Sequence, residues 1–557
     1  MESASKVKPC ADDAKSSGDD IHNGVERALN FYSVLAIFVA VFGGLLFGLD
    51  IGTASITSMN HFREEMGIPI QVSGHADSSA VVKQVSMFPI VFHITTLCGA
   101  PFAGQISDRY GRKPVMLAAA ILFCIGALWQ VFAGMISQSF GWTSILLGRV
   151  VGGFGNGFIL TIMPVYASEL APTKYRGMTI TSFQLFITIG IFVMTLINYY
   201  IEDYKWGWRL GFGVQAIPCA IVILMTLFFL PESPRYLVQQ DRDDEAIAAI
   251  RHLSKGSPDE DKVARNELLR IQEEVAAVKA HGNGSWGELL QGTNFASLLC
   301  GIMVSFSQQV TGINWFMNYA TQLFSALGFA PFTFDLLLKL LNMVSTILAI
   351  FLVERAGRKS MIVFGTLAIL GVYLAMFIII EATGVDVTVS TPDSLEKAVQ
   401  TFFVAMIFVY QFLFAVTWGP LGFILPAEIF PTRVRGKGMS IAIASNMVGN
   451  ICFGDFGYQN LNAATSMSLT MVVVVLANVM FVLVTALFLV PETKSVVLED
   501  IPIVFGFCPK GDAAAGLGTM RQFAMRNGKQ AKSVLACKSI DPQIEIAAKR
   551  SARNAQV

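Results

Sequence analysis

Asp50 sits deep inside an apolar run, Gly43-Gly44-Leu45-Leu46-Phe47-Gly48-Leu49-Asp50. An ionised carboxylate at bilayer depth costs about 3 kcal/mol on insertion scales, so it must be paired, protonated or turned towards water. Arg149, in the separate apolar segment Leu147-Gly148-Arg149-Val150, is the obvious partner. A carboxylate alternating between an ion pair and a protonated state meets the physical requirement of proton coupling. A fixed pair that never titrates is the alternative. Amides form the second constellation, in Gln308-Gln309-Val310-Thr311-Gly312-Ile313-Asn314. They offer donors and acceptors without charge to desolvate, which suits ligand hydroxyls. Helix–helix hydrogen bonding at about 0.6–2 kcal/mol per contact is the competing use. His93 is a lone intramembrane imidazole, read as a packing residue with proton relay as the alternative. Asp455, near the outer end of its helix, reads as wet or capped. Gly152-Gly153-Phe154-Gly155-Asn156-Gly157 has no strand before it and reads as tight helix packing, not a dinucleotide loop. With no catalytic triad, metal cluster or phosphate loop in view, the sequence predicts neither an enzyme nor a cofactor.

The elements that must position these residues are membrane helices. Of 557 residues 54% are hydrophobic and 14% charged, where a soluble domain carries about 25% charged residues. Lys plus Arg and Asp plus Glu both total 40, so nothing points to a nucleic-acid partner. Eight cysteines show no metal-type spacing and predict no disulfide framework. A bilayer core needs about 20 apolar residues per helix. Twelve stretches qualify: 32–56, 85–106, 115–136, 143–166, 179–200, 209–230, 296–318, 332–353, 361–381, 400–425, 438–457 and 467–490. The expected division is a tail to residue 30, a six-helix half over 31–230, a helical linker over 231–295, a second half over 296–495, and a tail over 496–557. Residues 1–30 lack an apolar core and do not read as a cleavable signal peptide. Basic loops at Arg109, Arg112 and Lys113, at Arg355, Arg358 and Lys359, and at Arg433, Arg435 and Lys437 put the termini and linker in the cytoplasm. The sequon at Asn283 then goes unused. The C-terminal tail after residue 505 carries nine Lys/Arg against three Asp/Glu and reads as solvated, with contact to anionic lipid as the alternative.

The halves repeat one another. Asp108-Arg109-Tyr110-Gly111-Arg112-Lys113 recurs as Glu354-Arg355-Ala356-Gly357-Arg358-Lys359. Ser168-Glu169, running on to Arg176, recurs as Ala427-Glu428, running on to Arg435. Pro231-Glu232-Ser233-Pro234 recurs as Pro491-Glu492-Thr493-Lys494. Parallel halves of this kind place a substrate site at their interface near the midplane. The charges at Asp108, Arg109, Arg112, Glu169, Arg176, Glu354, Arg355, Arg358, Glu428 and Arg435 are expected to form bridges that hold the inner side shut.

Taken together, Gly104-x-x-x-Asp108-Arg109-x-Gly111-Arg112, Pro231-Glu232-Ser233-Pro234-Arg235, Gln308-Gln309-x-x-Gly312-x-Asn314 and Pro491-Glu492-Thr493-Lys494 make the chain resemble the sugar-porter family of the major facilitator superfamily, over about 32–495. The resemblance implies an all-α membrane protein of twelve transmembrane helices in two halves, working by alternating access. It implies a hexose as cargo and, from the acid at Asp50, proton symport. It carries sugar contacts to Gln184, Gln308, Gln309, Asn314, Asn342 and Asn446, stacking to Phe423 where many members have Trp, and gating to Asn318 and Tyr319. Pro420 and Pro426 interrupt the tenth helix and read as gating bends or a static kink. Met447 replaces a common Trp; with Phe423 and Asn318 it leaves a pentose or polyol open as cargo. Facilitative uniport, and a sensor that binds without transporting, are the rival readings. No obligate protein partner is expected. The family and tails point to the plasma membrane, with an internal membrane as the alternative.

Overall fold

The computed structural model describes residues 30–70, 79–135, 138–171, 176–256, 259–280, 286–384, 394–430 and 434–493. The Asn283 sequon and both tails lie outside the described residues. Among the described residues, eleven helices are long and apolar enough to cross a membrane. The N-terminal half comprises Phe31–Gly52, Ser79–Tyr110, Arg112–Val131, Gln138–Leu170, Arg176–Ile201 and Gly207–Phe228. The C-terminal half begins with a broken seventh helix, Gly292–Val310 and Ile313–Ala326, followed by Pro331–Ala356 and Arg358–Thr383. Its tenth helix is Ser394–Val416 plus Trp418–Ile429, and its last is Met467–Leu489. The eleventh, Arg435–Gly449, passes through a π-helical turn at Asn450–Asp455 into Gly457–Ala464. Charge at Arg435, Lys437 and Asp455 lowers its apolarity, yet among the described residues it supplies the twelfth helix expected from the sequence. Exposed Phe228, Phe351 and Phe488 form part of the outer faces, as expected where lipid replaces water.

Small residues let the helices approach closely. A Cβ on Gly48 would stand 2.0 Å from the Ile187 carbonyl oxygen, and one on Gly190 would stand 2.5 Å from that of Leu45. First and fifth helices therefore meet backbone to backbone. Gly153 and Gly157 do the same for the second and fourth, matching the packing role read from their glycine-rich run.

The doubled Pro-Glu motif has a physical purpose. The Glu232 carboxylate accepts from the backbone N–H groups of Arg112 (2.9 Å) and Lys113 (3.2 Å), capping the start of the third helix. Glu492 repeats this on Arg358 (3.0 Å) and Lys359 (3.2 Å) at the ninth. Anions at helix N-termini are favoured by the orphan N–H groups and the macrodipole. In the linker, Pro234–Gln239, Asp243–Ser254 and Glu260–Ala280 pack through Leu237, Ala246, Ile250 and Ala264. The Ser33 hydroxyl donates to Leu253 O at 2.6 Å, docking the linker on the first helix.

Candidate functional site

A partly open cavity lies between the halves, the kind of place where transporters of two parallel halves hold their cargo. Gln184, Gln308, Gln309, Asn314, Asn342, Phe423 and Asn446, the expected sugar contacts, all line it. Phe47, Ile51, Thr188, Phe414 and Asn450 join them without having been singled out in the sequence. The amides hold one another in place. Asn314 donates to Gln309 Oε1 (2.6 Å), and Gln309 donates to Asn446 Oδ1 (2.8 Å). Asn446 Nδ2 donates to Gln308 Oε1 (2.8 Å) and to Ser305 O (2.9 Å). Gln308 Nε2 in turn donates to the carbonyls of Trp418 (3.1 Å) and Gly419 (2.9 Å). Both uses weighed for these amides thus coexist: they join helices and face the cavity. Gln184 Oε1 is buried with no hydrogen-bond partner, a ready acceptor on the opposite wall.

Helix breaks build this wall. Gly312, at φ +90°, divides the seventh helix, a conformation glycine adopts without strain. The freed carbonyls are satisfied by three tyrosines: Tyr373 (2.6 Å) and Tyr410 (3.0 Å) donate to Thr311 O, and Tyr458 (2.9 Å) donates to Val310 O. The tenth helix breaks at Thr417, just before Pro420, whose missing N–H leaves Val416 O without its helical donor. Pro426 lies inside the continuing helix and, with Phe423 and Met447, lines a smaller adjoining space.

Asp50 and Arg149 are brought together as the sequence implied. Arg149 NH1 donates to Asp50 Oδ1 at 2.5 Å, with both residues buried. The guanidinium also donates to Phe88 O (3.1 Å) and lies over the Phe88 and Phe92 rings. Phe47 and Ile51, on the same helix as Asp50, reach the cavity.

Asp455 is not wet: it is fully buried, because the π-helical turn carries it inward. His93 Nδ1 approaches its Oδ2 at 2.5 Å, Asn318 donates to its Oδ1 at 2.7 Å, and Tyr319 donates to its backbone carbonyl at 2.8 Å. The expected gate residues Asn318 and Tyr319 therefore hold this acid. A second buried pair went unnoticed in the sequence: Lys339 lies 3.1 Å from Asp335 and donates to Met317 O at 2.8 Å.

At the end of the bundle bearing the doubled turns, the charge clusters pair within each half. Arg112 makes a two-pronged contact with Glu169 (3.1 and 3.2 Å) in the first half, and Arg358 donates to Glu428 (3.0 Å) in the second. They brace each half from within, where bridges holding the inner side shut were expected. Asp108 lies 3.8 Å from Arg112 and within electrostatic reach of Lys437 across the interface. The Arg109 guanidinium stands over its neighbour Tyr110, Arg355 is exposed, and Arg435 Nε donates to Phe430 O at 3.4 Å. The Arg176 and Glu354 side chains lie outside the described residues.

The family model "Sugar (and other) transporter" matches residues 36–505. The chain belongs to the sugar-porter family. It is 32% identical to a low-affinity glucose transporter of Kluyveromyces lactis, over 85% of this chain and 82% of that one. It is 33% identical to sugar transport protein 12 of Arabidopsis thaliana, over 75% and 82%. Among solved structures, the proton:xylose symporter XylE bound to 6-bromo-6-deoxy-D-glucose superposes with a TM-score of 0.70 at 25% identity, covering 86% of this chain and 100% of that one. This sugar porter is accordingly a multi-pass integral membrane protein, and its relatives are transporters, not enzymes.

Proposed function

We propose that this sugar porter is a proton-coupled monosaccharide symporter, with a hexose as cargo, working by alternating access. The buried Asp50–Arg149 pair beside an uncharged, amide-lined cavity carries the reading. Two halves, 31–230 and 296–495, rock about the cavity, with the linker and both termini on the cytoplasmic face of the plasma membrane. A proton from outside neutralises Asp50 and releases Arg149; sugar binds the amides; both are occluded and leave inward. Inward movement of that charge down a membrane potential supplies about 2.3 kcal/mol per 100 mV. The glucose transporters and the xylose symporter among its relatives support a sugar cargo, and the latter supports the coupling. Facilitative uniport is the second reading. The several contacts of Arg149 with Phe88 and Phe92 suit a fixed pair.

Radiolabelled hexose uptake into proteoliposomes under an inward proton gradient, wild type against Asp50→Asn, decides between them. Symport requires wild type to accumulate sugar above equilibrium while the variant only equilibrates it. Equilibration by both, indifferent to pH, would replace symport by uniport, and absence of uptake by wild type would favour a sensor. Labelled xylose and a polyol in the same assay rank the cargo.

A further inference from the structure

His93 belongs to the second helix and Asp455 to the eleventh, so their contact joins the two halves. Around it, on the side away from the doubled charged turns, Ser58 meets Thr321 (2.9 Å) and Asn460 donates to Ser86 (3.4 Å), also between halves. The pair is thus part of the closure of the cavity on that side. The titratable and charged groups facing it are Asp50 from the first helix, Arg149 from the fourth and Tyr319 from the seventh.

Arg149 matches Asp50, which leaves Asp455 to the imidazole. An unmatched charge in such surroundings is costly, so a proton on His93 completes the neutral count of its own pair. Asn450 stands where it can respond. Its Nδ2 lies 3.1 Å from His93 Nε2, an arrangement for a neutral ring that accepts there. Its Oδ1 is buried with no hydrogen-bond partner. Adding a proton at Nε2 turns the ring into a double donor, and a half-turn of the Asn450 amide then lets the orphaned Oδ1 accept. Asn450 also lines the sugar cavity.

We propose that His93 and Asp455 form a second proton-binding site, distinct from Asp50–Arg149, that latches the outer side of the two halves and signals its protonation to the sugar cavity through Asn450. The step is a proton transfer from external hydronium to the imidazole: one N–H bond forms, one O–H bond breaks, and water leaves. The resulting imidazolium–carboxylate pair favours closure. Loss of that proton removes the pair's attraction, so closure weakens when the imidazole is neutral.

This inference rests on the sugar-transport reading but not on coupling through Asp50, and the experiment separates the two. Exchange of radiolabelled hexose between equal internal and external concentrations, at equal pH on both sides, needs no accumulation. Exchange by wild type should fall at least about fivefold between roughly pH 5.5 and 8. His93→Gln and Asp455→Asn should each flatten that profile to within about twofold. Asn450→Leu should keep the pH dependence of exchange while removing that of hexose affinity. If His93→Gln follows the wild-type profile, or if wild-type exchange is itself indifferent to pH, the proposal is wrong. Should His93→Gln lack exchange, hexose binding to the detergent-solubilised protein over the same pH range gives the same two readings.

Discussion

The two halves share a frame and differ in what they put at its centre. Each caps its third-helix equivalent with a Pro-Glu carboxylate, Glu232 or Glu492, and each braces its charged end internally, Arg112 on Glu169 or Arg358 on Glu428. At the middle the symmetry ends. The first half has close-packed helices around the charged pair Asp50–Arg149. The second has a seventh helix broken at Gly312, a tenth broken at Thr417, a π-helical turn in the eleventh, and a chain of neutral amides. The Asp50–Arg149 pair and every cavity-lining amide except Gln184 thereby lie in different halves. An ion inside the amide wall would have to be desolvated each time the cavity filled, whereas an amide exchanges one neutral partner for another.

That contrast predicts different failures in the two halves. Gln309→Ala should have the largest effect. It leaves Asn446 Oδ1 and Asn314 Nδ2 without these partners, worth about 1–3 kcal/mol or roughly five- to 150-fold in sugar affinity. Equilibrium hexose binding measures this, and an unchanged affinity would remove the amide wall from recognition. Gly312→Ala comes next. At φ +90° and with the Tyr373 hydroxyl 2.8 Å from the new Cβ, it should cost about 1–2 kcal/mol, read as a lower melting temperature in detergent. The smallest effect tests the shared frame: Glu232→Gln and Glu492→Gln should each lose about 0.3–1 kcal/mol. Similar losses would sustain the equivalence of the two caps, and a marked inequality would break it.

Much of this was legible because it is local or repeated. Helix number follows from apolar run length, and the doubled motifs announced two halves before any contact was known. The cavity residues were found because amides in apolar helices are conspicuous and because the motifs match the family. Contacts between distant segments were not legible. His93 and Asp455 are 362 positions apart, and only the π-helical turn, which has no simple sequence signal, carries the acid inward. The Gly312 break had a signal, a glycine inside an apolar run, that the search for amides passed over. The charged turns were recognised, but sequence cannot say that arginine and glutamate of one half choose each other over the opposite half.

The three tyrosines around Gly312 have a mechanical consequence. They clamp the carbonyls of residues 310 and 311 from the ninth, tenth and eleventh helices, so that point is a fixed bearing. Beyond it Ile313–Ala326, 14 residues long, forms a lever of about 20 Å. A swing of roughly 15° about the bearing carries its tip some ~5 Å, while Gln308 and Gln309 on the near side stay still. A bend of this helix is therefore expected beyond residue 312 and not at Gln308 and Gln309.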